Sequence, residues 1–506
     1  MFDLGQSYIL SVERSPDATA IVDGERRWSY GEWLDPILSV AGGLDELGLT
    51  KGDHLITVLQ NRWEMATLHW ACQFLGIIIT PLNWRLKAGE LDYCIEDAGA
   101  KAIVFQDVSA EAVAAAEKTY GLTLIGLTGT SGATMAFDAL LAAKPLDGAP
   151  RAGVEDTSLM LYTSGTTGRP KGVPRSHRAE RAAAIAHVAQ HRCVPGEVML
   201  GVMPFYHTMG VRSLLATQLV DGCLICQPRF DSAMTLKLIE DEKISSVFLV
   251  PTLYHDLLAL PQFAAADLSS VRYVGFAGAS MSEGLLARVA EAFRPQLFVN
   301  HYGSSEIYTF TIEPDASAKP DSAGKAGINQ RIRVVRLGAI GPDNLAGPGE
   351  EGEIIADMSG DEAFGGYWRR PDADEMALRD GWYFTGDTGY FDPDGDLFVT
   401  GRVDDVMISG GENVSPVEIE SVLSTHPAVG EIAVVGLADE RWGQRITAFI
   451  VRSGEVAGEA LDAHCKSSEL ADYKRPRDYI FIKAIPKSPV GKFLRRKLLA
   501  GEYEAE

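Results

Sequence analysis

Cysteine is scarce in this chain. Six cysteines, at positions 72, 94, 193, 223, 226 and 465, are scattered over 506 residues. That is too few and too irregular for a disulfide framework. The one close pair, Cys223 and Cys226, is followed by no second pair and no His-x-His, which argues against zinc. In a strand, residues i and i+3 face opposite sides, so the two sulfurs would not converge. Reduced, buried thiols are the expectation. Long apolar runs are missing as well. No stretch approaches the roughly 18 residues of a membrane span, and Met1-Phe-Asp-Leu-Gly-Gln has no basic segment leading into an apolar one. A soluble, cytoplasmic protein without a signal or a membrane partner is expected. Positive charge is in short supply too: 46 Lys and Arg stand against 69 Asp and Glu, for a net charge of −23 and a pI near 4.9. Such a chain repels nucleic-acid phosphates. Any anionic ligand must therefore be met by a few local cations.

What is present is ordinary globular composition, 46% hydrophobic and 23% charged, in a length sufficient for two or three domains. Residues 1–150 alternate short apolar runs with helical patterns. Ala18–Val22 and Trp28–Tyr30 read as a hairpin, Tyr30–Leu47 and Trp63–Gly76 as helices, and Asp53–Leu59 and Ala102–Phe105 as strands. Strands spaced by helices predict a parallel α/β sheet. The pattern continues through an Ala-rich helix at 176–190, strands at Val198–Met203, Val247–Val250, Val271–Phe276 and Leu297–Asn300, and a helix from Ser282 to Phe293. Residues 330–400 switch to short strands with Pro/Gly/Asp turns, which predicts antiparallel β. Asp392-Pro-Asp-Gly-Asp396 there reads as a hairpin turn rather than a calcium loop. From Pro416 onward the pattern is helix, strand, strand, helix, strand, a small α+β unit. The predicted domains are 1–403 and 404–506, with a hinge near Asp404.

The densest chemistry lies at 161–173, Leu-Tyr-Thr-Ser-Gly-Thr-Thr-Gly-Arg-Pro-Lys-Gly-Val. Thr163, Ser164, Thr166 and Thr167 supply hydroxyls. Gly165 and Gly168 let backbone N–H groups turn toward one ligand, and Lys171 adds a full charge. That set suits a polyphosphate. It is not a Walker A loop, because Arg169-Pro170 intervenes before the lysine and Gly172 follows it. In open α/β sheets ligands sit outside the carboxyl ends of strands, so the loops at 163–171, 204–207, 277–280 and 301–306 are candidates for one crevice.

Further along, Tyr302-Gly303-Ser304-Ser305-Glu306 offers an aromatic face, a close-approach glycine, two hydroxyls and a carboxylate. An adenine could stack on Tyr302 and Glu306 could hold Mg²⁺, although from this stretch alone a helix N-cap with Ser and Glu is the better reading. Asp387, in Trp-Tyr-Phe-Thr-Gly-Asp, could accept two ribose hydroxyls or be a turn residue. Arg402, fifteen residues later, could reach ribose or phosphate. Gly410-Gly411 forms a turn before Pro416, and Gly491-Lys492 places one ammonium near the basic end of the chain.

In order and spacing these motifs closely resemble the adenylate-forming enzymes: acyl- and aryl-CoA synthetases, luciferases and peptide-synthetase adenylation domains. The resemblance covers essentially the whole chain. Ser409–Glu420, Asp439–Gln444, Ser468–Pro476 and Pro204–His207 look most like the 4-chlorobenzoate:CoA ligase branch. The family implies a large α/β domain of stacked sheets with a β-barrel-like subdomain, and a small mobile C-terminal lid. It implies an ATP-dependent carboxylate:CoA ligase that forms acyl-AMP and then a thioester, using ATP, Mg²⁺ and coenzyme A.

By that resemblance Lys492 is catalytic, with His207 and Glu306. Thr163–Gly168, Lys171, Ser280, Tyr302–Ser305, Asp387, Arg402, Gly410 and Gly411 would bind nucleotide or line the pantetheine path. Glu306 and Thr163 would serve Mg²⁺, and Trp442, Tyr473 and Arg475 would hold CoA. The acyl pocket would be formed by Ala186, His207, Phe248, Ala277, Gly278, Ala279, Ser280, His301, Gly303 and Tyr308. Small Ala186 with polar His301, Tyr308 and Thr309 suggests a larger or oxygenated aromatic acid rather than chlorobenzoate. A medium-chain fatty acyl-CoA ligase is the alternative. A carrier-loading amino-acid adenylation domain ranks lower, since Phe205-Tyr206-His207 lacks the Asp that would meet an amino group. The expected assembly is a monomer or homodimer.

Overall fold

The computed structural model describes residues 2–163, 169–409, 412–439, 441–468, 470–487 and 493–506. The alternation of buried strand and helix in the first half builds two sheets. In the seven-stranded sheet the order across is Met135–Ala136, Thr123–Gly126, Ala102–Phe105, His54–Val58, Ile78–Pro81, Thr157–Thr163 and Lys171–Ser176. All neighbours are parallel except the last two strands, which form a hairpin. Its inner strands His54–Val58, Ile78–Pro81 and Ala102–Phe105 are buried at every residue, as expected where helices cover both faces. The hairpin is what matters for function. It pairs Thr163 with Lys171, so both ends of the hydroxyl-rich loop leave one place.

The fourteen-stranded sheet has a parallel half and an antiparallel half. Thr19–Asp23, Cys223–Cys226, Val198–Gly201, Ser246–Leu249, Tyr273–Ala277 and Leu297–Tyr302 lie side by side and parallel. After Tyr302 the chain doubles back, and Thr311–Glu313 pairs antiparallel to the strand it left. Ser322–Ala326, Leu397–Arg402, Trp382–Phe391, Gly352–Asp357 and Ile332–Arg336 continue the antiparallel half. The switch at Tyr302 puts the carboxyl ends of the parallel strands next to the start of the antiparallel ones. A ligand crevice belongs at such a junction.

Local chemistry adjusts the expected boundaries. The second hairpin strand was expected to reach Tyr30 but ends at Ser29, because Ser29 and Glu32 form a capping box that draws Tyr30 into the helix Tyr30–Glu46. Glu32 N donates to Ser29 Oγ at 3.2 Å and Ser29 N to Glu32 Oε2 at 2.9 Å. Asp392–Asp396 is indeed the turn between paired strands, with Phe391 opposite Leu397. Its three carboxylates close on Lys319 Nζ, at 2.5 Å for Asp396 and 3.4 Å for Asp394, so a side-chain cation already fills that cluster. Cys223 and Cys226 begin and end a wholly buried strand, and all six thiols are unpaired. Burial pushes the Cys223 thiol up to about 12. Among the described residues no helix is long and apolar enough to cross a membrane.

Past residue 404 the order is the helix Pro416–Ser424, strands Val429–Asp439 and Gly443–Arg452, the helix Gly458–Lys466 and the strand Asp478–Phe481. That is the order read from the pattern, to which the structure adds a short last helix, Arg495–Leu499. Together with the hairpin Met407–Ser409 and Glu412–Val414 they form a five-stranded sheet. The apolar clusters on it, around Ile419, Val434, Ala448 and Leu461 and around Val435, Phe449 and Ile482, use only residues after 404.

Candidate active site

Lys171 stands at the base of the hydroxyl-rich loop, and the strand carrying it is clamped. A side chain at Gly172 would meet Met160 Sδ at 2.9 Å and Trp368 Cβ at 3.1 Å. Trp368 N donates to Gly172 O at 2.9 Å, and Tyr93 Oη donates to Pro170 O at 2.8 Å. With its backbone held, Lys171 extends Nζ over the ring of Tyr367, 4.0 Å from the centroid. Desolvation pulls its pKa below the usual lysine value, opposed by the charge of Glu306. Tyr367 Oη in turn donates to Glu306 Oε1 at 2.7 Å. Lys171 and Glu306, 135 residues apart in sequence by their numbers, thus meet through one phenol. Thr163 completes the stem, its Oγ1 3.5 Å from Lys171 O. Ser164, Gly165, Thr166, Thr167 and Gly168 lie outside the described residues.

The Tyr302–Glu306 stretch is a turn, not a helix cap. Gly303 is required there, since a Cβ would stand 2.0 Å from Tyr308 O. Ser304 N donates to Ile307 O at 2.9 Å, and Ser305 Oγ lies 3.3 Å from Thr208 Oγ1, which ties the turn to the residue following His207. Glu306 is buried, and its backbone is fixed from below. Arg175 Nη1 donates to Glu306 O at 2.8 Å and to Glu362 O at 2.6 Å. Arg175 itself is neutralised by Glu180 at 2.9 Å, with both side chains 0% exposed. This ion pair positions the carboxylate of Glu306 without touching it, and the motif reading missed it. Its trace in the sequence is an arginine at the end of the strand Lys171–Ser176, five residues before a glutamate.

Beside them Tyr302 Oη donates to Asp387 Oδ2 at 2.6 Å, and Arg402 Nη1 donates to Asp387 Oδ1 at 2.8 Å. Asp387 and Arg402 face each other across the strands Trp382–Phe391 and Leu397–Arg402. Burial and the Asp387 charge push the Tyr302 phenol well up, so it stays a donor. Each Asp387 oxygen keeps a lone pair for one further hydroxyl. Lys171, the buried Glu306 carboxylate and the Asp387 carboxylate are thus brought together around the Tyr302–Glu306 turn.

The acyl-pocket candidates gather behind this turn. Ala277 pairs with His301 across parallel strands, and Phe248 packs 6.1 Å from the His301 ring. Gly278, Ala279 and Ser280 form the exposed turn after Tyr273–Ala277, Gly278 with φ of +85°. Ala186 is buried on the helix His177–Gln190. His207 caps the helix Thr208–Leu219, its Nδ1 3.4 Å from Met209 N. Tyr308 donates its phenol to Glu180 Oε2 at 3.2 Å, and its carbonyl abuts Gly303.

In the C-terminal part, Asp404 is exposed on the short helical turn Val403–Asp405. Trp442 sits between Arg441 and Arg477, 4.9 and 5.3 Å from its ring. Tyr473 is exposed. Arg475 is engaged by Asp472, at 3.0 Å, and by Asp462. Gly410, Gly411 and Lys492 lie outside the described residues.

One cluster was not read from the sequence at all. His187, His191 and His301 bring ring nitrogens within 4.8 Å of one another, all buried. The rings of His187 and His191 stack at 3.8 Å, and His191 Nε2 lies 3.0 Å from His301 Nδ1. Arg212 Nη1 is 3.0 Å from His301 Nε2 and 3.4 Å from Tyr308 O. His301 Nε2 also lies 3.0 Å from Tyr308 O, so one ring nitrogen stands between a guanidinium that only donates and a carbonyl that only accepts, and the tautomer of His301 decides which of the two it serves. Three histidines would suit a transition metal. The guanidinium argues against one: two unit charges 4 Å apart at an effective dielectric of about 20 repel by about 4 kcal/mol, and a dication would face about twice that. The sequence signal was His187 and His191 at i, i+4 on an Ala-rich helix, facing the Phe248 strand.

Residues 10–368 match the family described as AMP-binding enzyme, and residues 418–492 match the AMP-binding enzyme C-terminal domain. The chain belongs to the AMP-binding enzyme family. It is 34% identical over 500 residues to a 4-chlorobenzoate–CoA ligase of Arthrobacter sp, covering 96% of this chain and 93% of the relative. It is 32% identical to a long-chain-fatty-acid–CoA ligase of Mycobacterium tuberculosis, over 95% and 94% of the two chains. The fold superposes on ATP-bound MatB from Rhodopseudomonas palustris with a TM-score of 0.89 at 27% identity, covering 99% of each chain. The enzyme is an AMP-forming acyl- or aryl-CoA ligase, with a carboxylic acid, ATP and CoA as its substrates. Relatives acting on a chlorobenzoate and on long-chain fatty acids leave the acid itself open.

Proposed function

We propose that the enzyme activates an aromatic, benzoate-like carboxylic acid in two steps on one crevice. The observation that carries this reading is the convergence of Lys171, Tyr367 and Glu306 beside Tyr302, Asp387 and Arg402. In the first step a carboxylate oxygen attacks the α-phosphorus of ATP. The bond to the β-phosphate oxygen breaks, giving acyl-AMP and pyrophosphate. In the second, the CoA sulfur attacks the acyl carbon, the bond to AMP breaks, and the thiol proton is lost to solvent.

Two anions must meet in the first step, and preorganised positive charge is the largest available help. Lys171 and Thr163 hold the β- and γ-phosphates, and Asp387 and Arg402 hold the ribose. Lys492, carried by the C-terminal unit, bridges the attacking carboxylate and the α-phosphate. Glu306 fits Mg²⁺: it is a buried oxygen donor whose Oε1 is fixed by Tyr367, and hard cations take carboxylate oxygens. Bound there, with the Thr163 hydroxyl in support, Mg²⁺ would offset phosphate charge. Trp442, Tyr473 and Arg475 face CoA, and residues 404–506 swing about Asp404 so that Lys492 gives way to Gly410-Gly411 for thioester formation.

The test is pyrophosphate release across benzoates, cinnamates, phenylacetates and short- to medium-chain fatty acids, with and without CoA. An aromatic acid giving the highest kcat/KM, with AMP as the nucleotide product, supports the reading. A fatty acid ahead of every aromatic acid contradicts the aromatic assignment.

A further inference from the structure

Arg212 is a buried charge with no direct ion-pair partner among the described residues. It is 2% exposed, and its Nε is buried with no hydrogen-bond partner. Among the described residues no carboxylate forms an ion pair with it. Glu180 is committed to Arg175, and Glu362 and Glu180 reach Arg212 only through their fields. A buried guanidinium in that position is costly unless an anion arrives to pair with it. Its neighbours are the acyl-pocket candidates themselves: the His301 ring, the Tyr308 carbonyl, and the Phe248 ring 5.0 Å away.

The imidazoles around it cannot serve as the counter-ion. Burial and the Arg212 charge hold His187, His191 and His301 well below the usual histidine pKa, so they are neutral. His187 Nδ1 is a second buried nitrogen without a partner. Neutral imidazoles lend N–H donors and add no repulsion toward an anion. Arg212 and the three imidazoles together carry one positive charge at the apolar Phe248 wall, and Glu362, whose Oε2 is buried without a partner, acts on it through its field without pairing with it.

We propose that Arg212, backed by His187, His191 and His301, forms the closed end of the acyl pocket and selects acids that carry a second carboxylate remote from the one being activated. This rests on the ligase reading above and names the substrate class of that site. A monoacid would leave the guanidinium buried and unpaired in the Michaelis complex. A diacid supplies the missing charge through a planar, two-point contact.

The experiment measures kcat/KM for pyrophosphate release with matched pairs: benzoate against benzene-1,3- and 1,4-dicarboxylate, phenylacetate against its ring-carboxylated analogue, and hexanoate against hexanedioate. The wild-type enzyme should prefer the diacid by about 10²-fold or more in at least one pair. Arg212→Met should lose that preference while keeping activity toward the monoacid of the pair, which also shows that the variant folds. Arg212→Lys should retain part of it. A monoacid preference in every pair, or a loss in Arg212→Met shared equally by mono- and diacids, overturns the proposal and leaves the ligase reading intact. Stoichiometric Zn²⁺ uptake by the wild-type protein, abolished in His187→Ala, overturns it in favour of a metal site. If no acid of any kind yields pyrophosphate, the ligase reading itself fails.

Discussion

Glu306 shows how much one side chain depends on its surroundings. Its charge faces Lys171 across the Tyr367 ring, and the phenol fixes one of its oxygens. Glu306→Gln keeps the size and a hydrogen bond but removes the charge. Pyrophosphate release should fall by about 10²- to 10³-fold, as for loss of one preorganised electrostatic group, with the melting temperature little changed. A loss below tenfold would show that Glu306 plays no part in holding the phosphates. Histidine gives a second prediction at this scale. Burial holds His69 down to about 3, so the folded protein keeps it neutral while the unfolded chain takes up a proton below about pH 6.5. The unfolded state then binds more protons, and stability falls as pH drops from about 6.5 toward 3, by up to about 1.4 kcal/mol per unit for this one group. Raised carboxyls such as Glu180 and Glu362 titrate in the opposite sense, so the comparison is between parent and variant. Denaturation of His69→Gln across that range should have a shallower pH slope by about one proton. An unchanged slope would contradict the assignment.

The elements explain why some of the site was legible and some was not. The hydroxyl-rich loop and the Tyr302–Glu306 turn are runs of unusual composition beyond strand ends, and Asp387 follows an aromatic run within the strand Trp382–Phe391, so each announces itself locally. The strand-and-helix alternation was equally plain, because burial on both faces leaves continuous apolar runs such as Ala102–Phe105. What was hidden is what folding alone assembles. Arg175 and Glu180 form a fully buried pair that anchors the Glu306 and Glu362 carbonyls. Arg212 and His301, on a helix and a strand 89 residues apart, meet only in the packed structure. Single charged or imidazole residues in apolar elements look like ordinary surface positions until burial is known. The buried pair carries its own prediction. Arg175→Met leaves Glu180 buried without its partner and frees two carbonyls, so unfolding free energy should drop by about 3–5 kcal/mol. A drop under about 1 kcal/mol in chemical denaturation would mean that the pair does not secure this hairpin.

At the scale of the molecule, the large sheet switches from parallel to antiparallel at Tyr302, where the proposed crevice lies, and a five-stranded sheet with its own apolar clusters follows residue 404. In that unit Arg495 is fastened to Glu420 at 2.7 Å and to Asp405 at 3.3 Å, which anchors the segment next to Lys492. If that lysine serves only the first step, Lys492→Ala should lower acyl-AMP formation by at least about 10²-fold while thioester formation from supplied acyl-AMP and CoA survives. Equal losses in both half-reactions would rule out alternating use of the lid.

The most direct measurement follows the carboxylate oxygen. The enzyme is incubated with Mg·ATP, CoA and an accepted acid labelled with ¹⁸O in both carboxylate positions, and the products are read by mass spectrometry. Attack on the α-phosphorus predicts one ¹⁸O in AMP and none in pyrophosphate. Label in inorganic phosphate with ADP as the nucleotide product, or AMP free of label, would contradict an acyl-adenylate formed in this crevice.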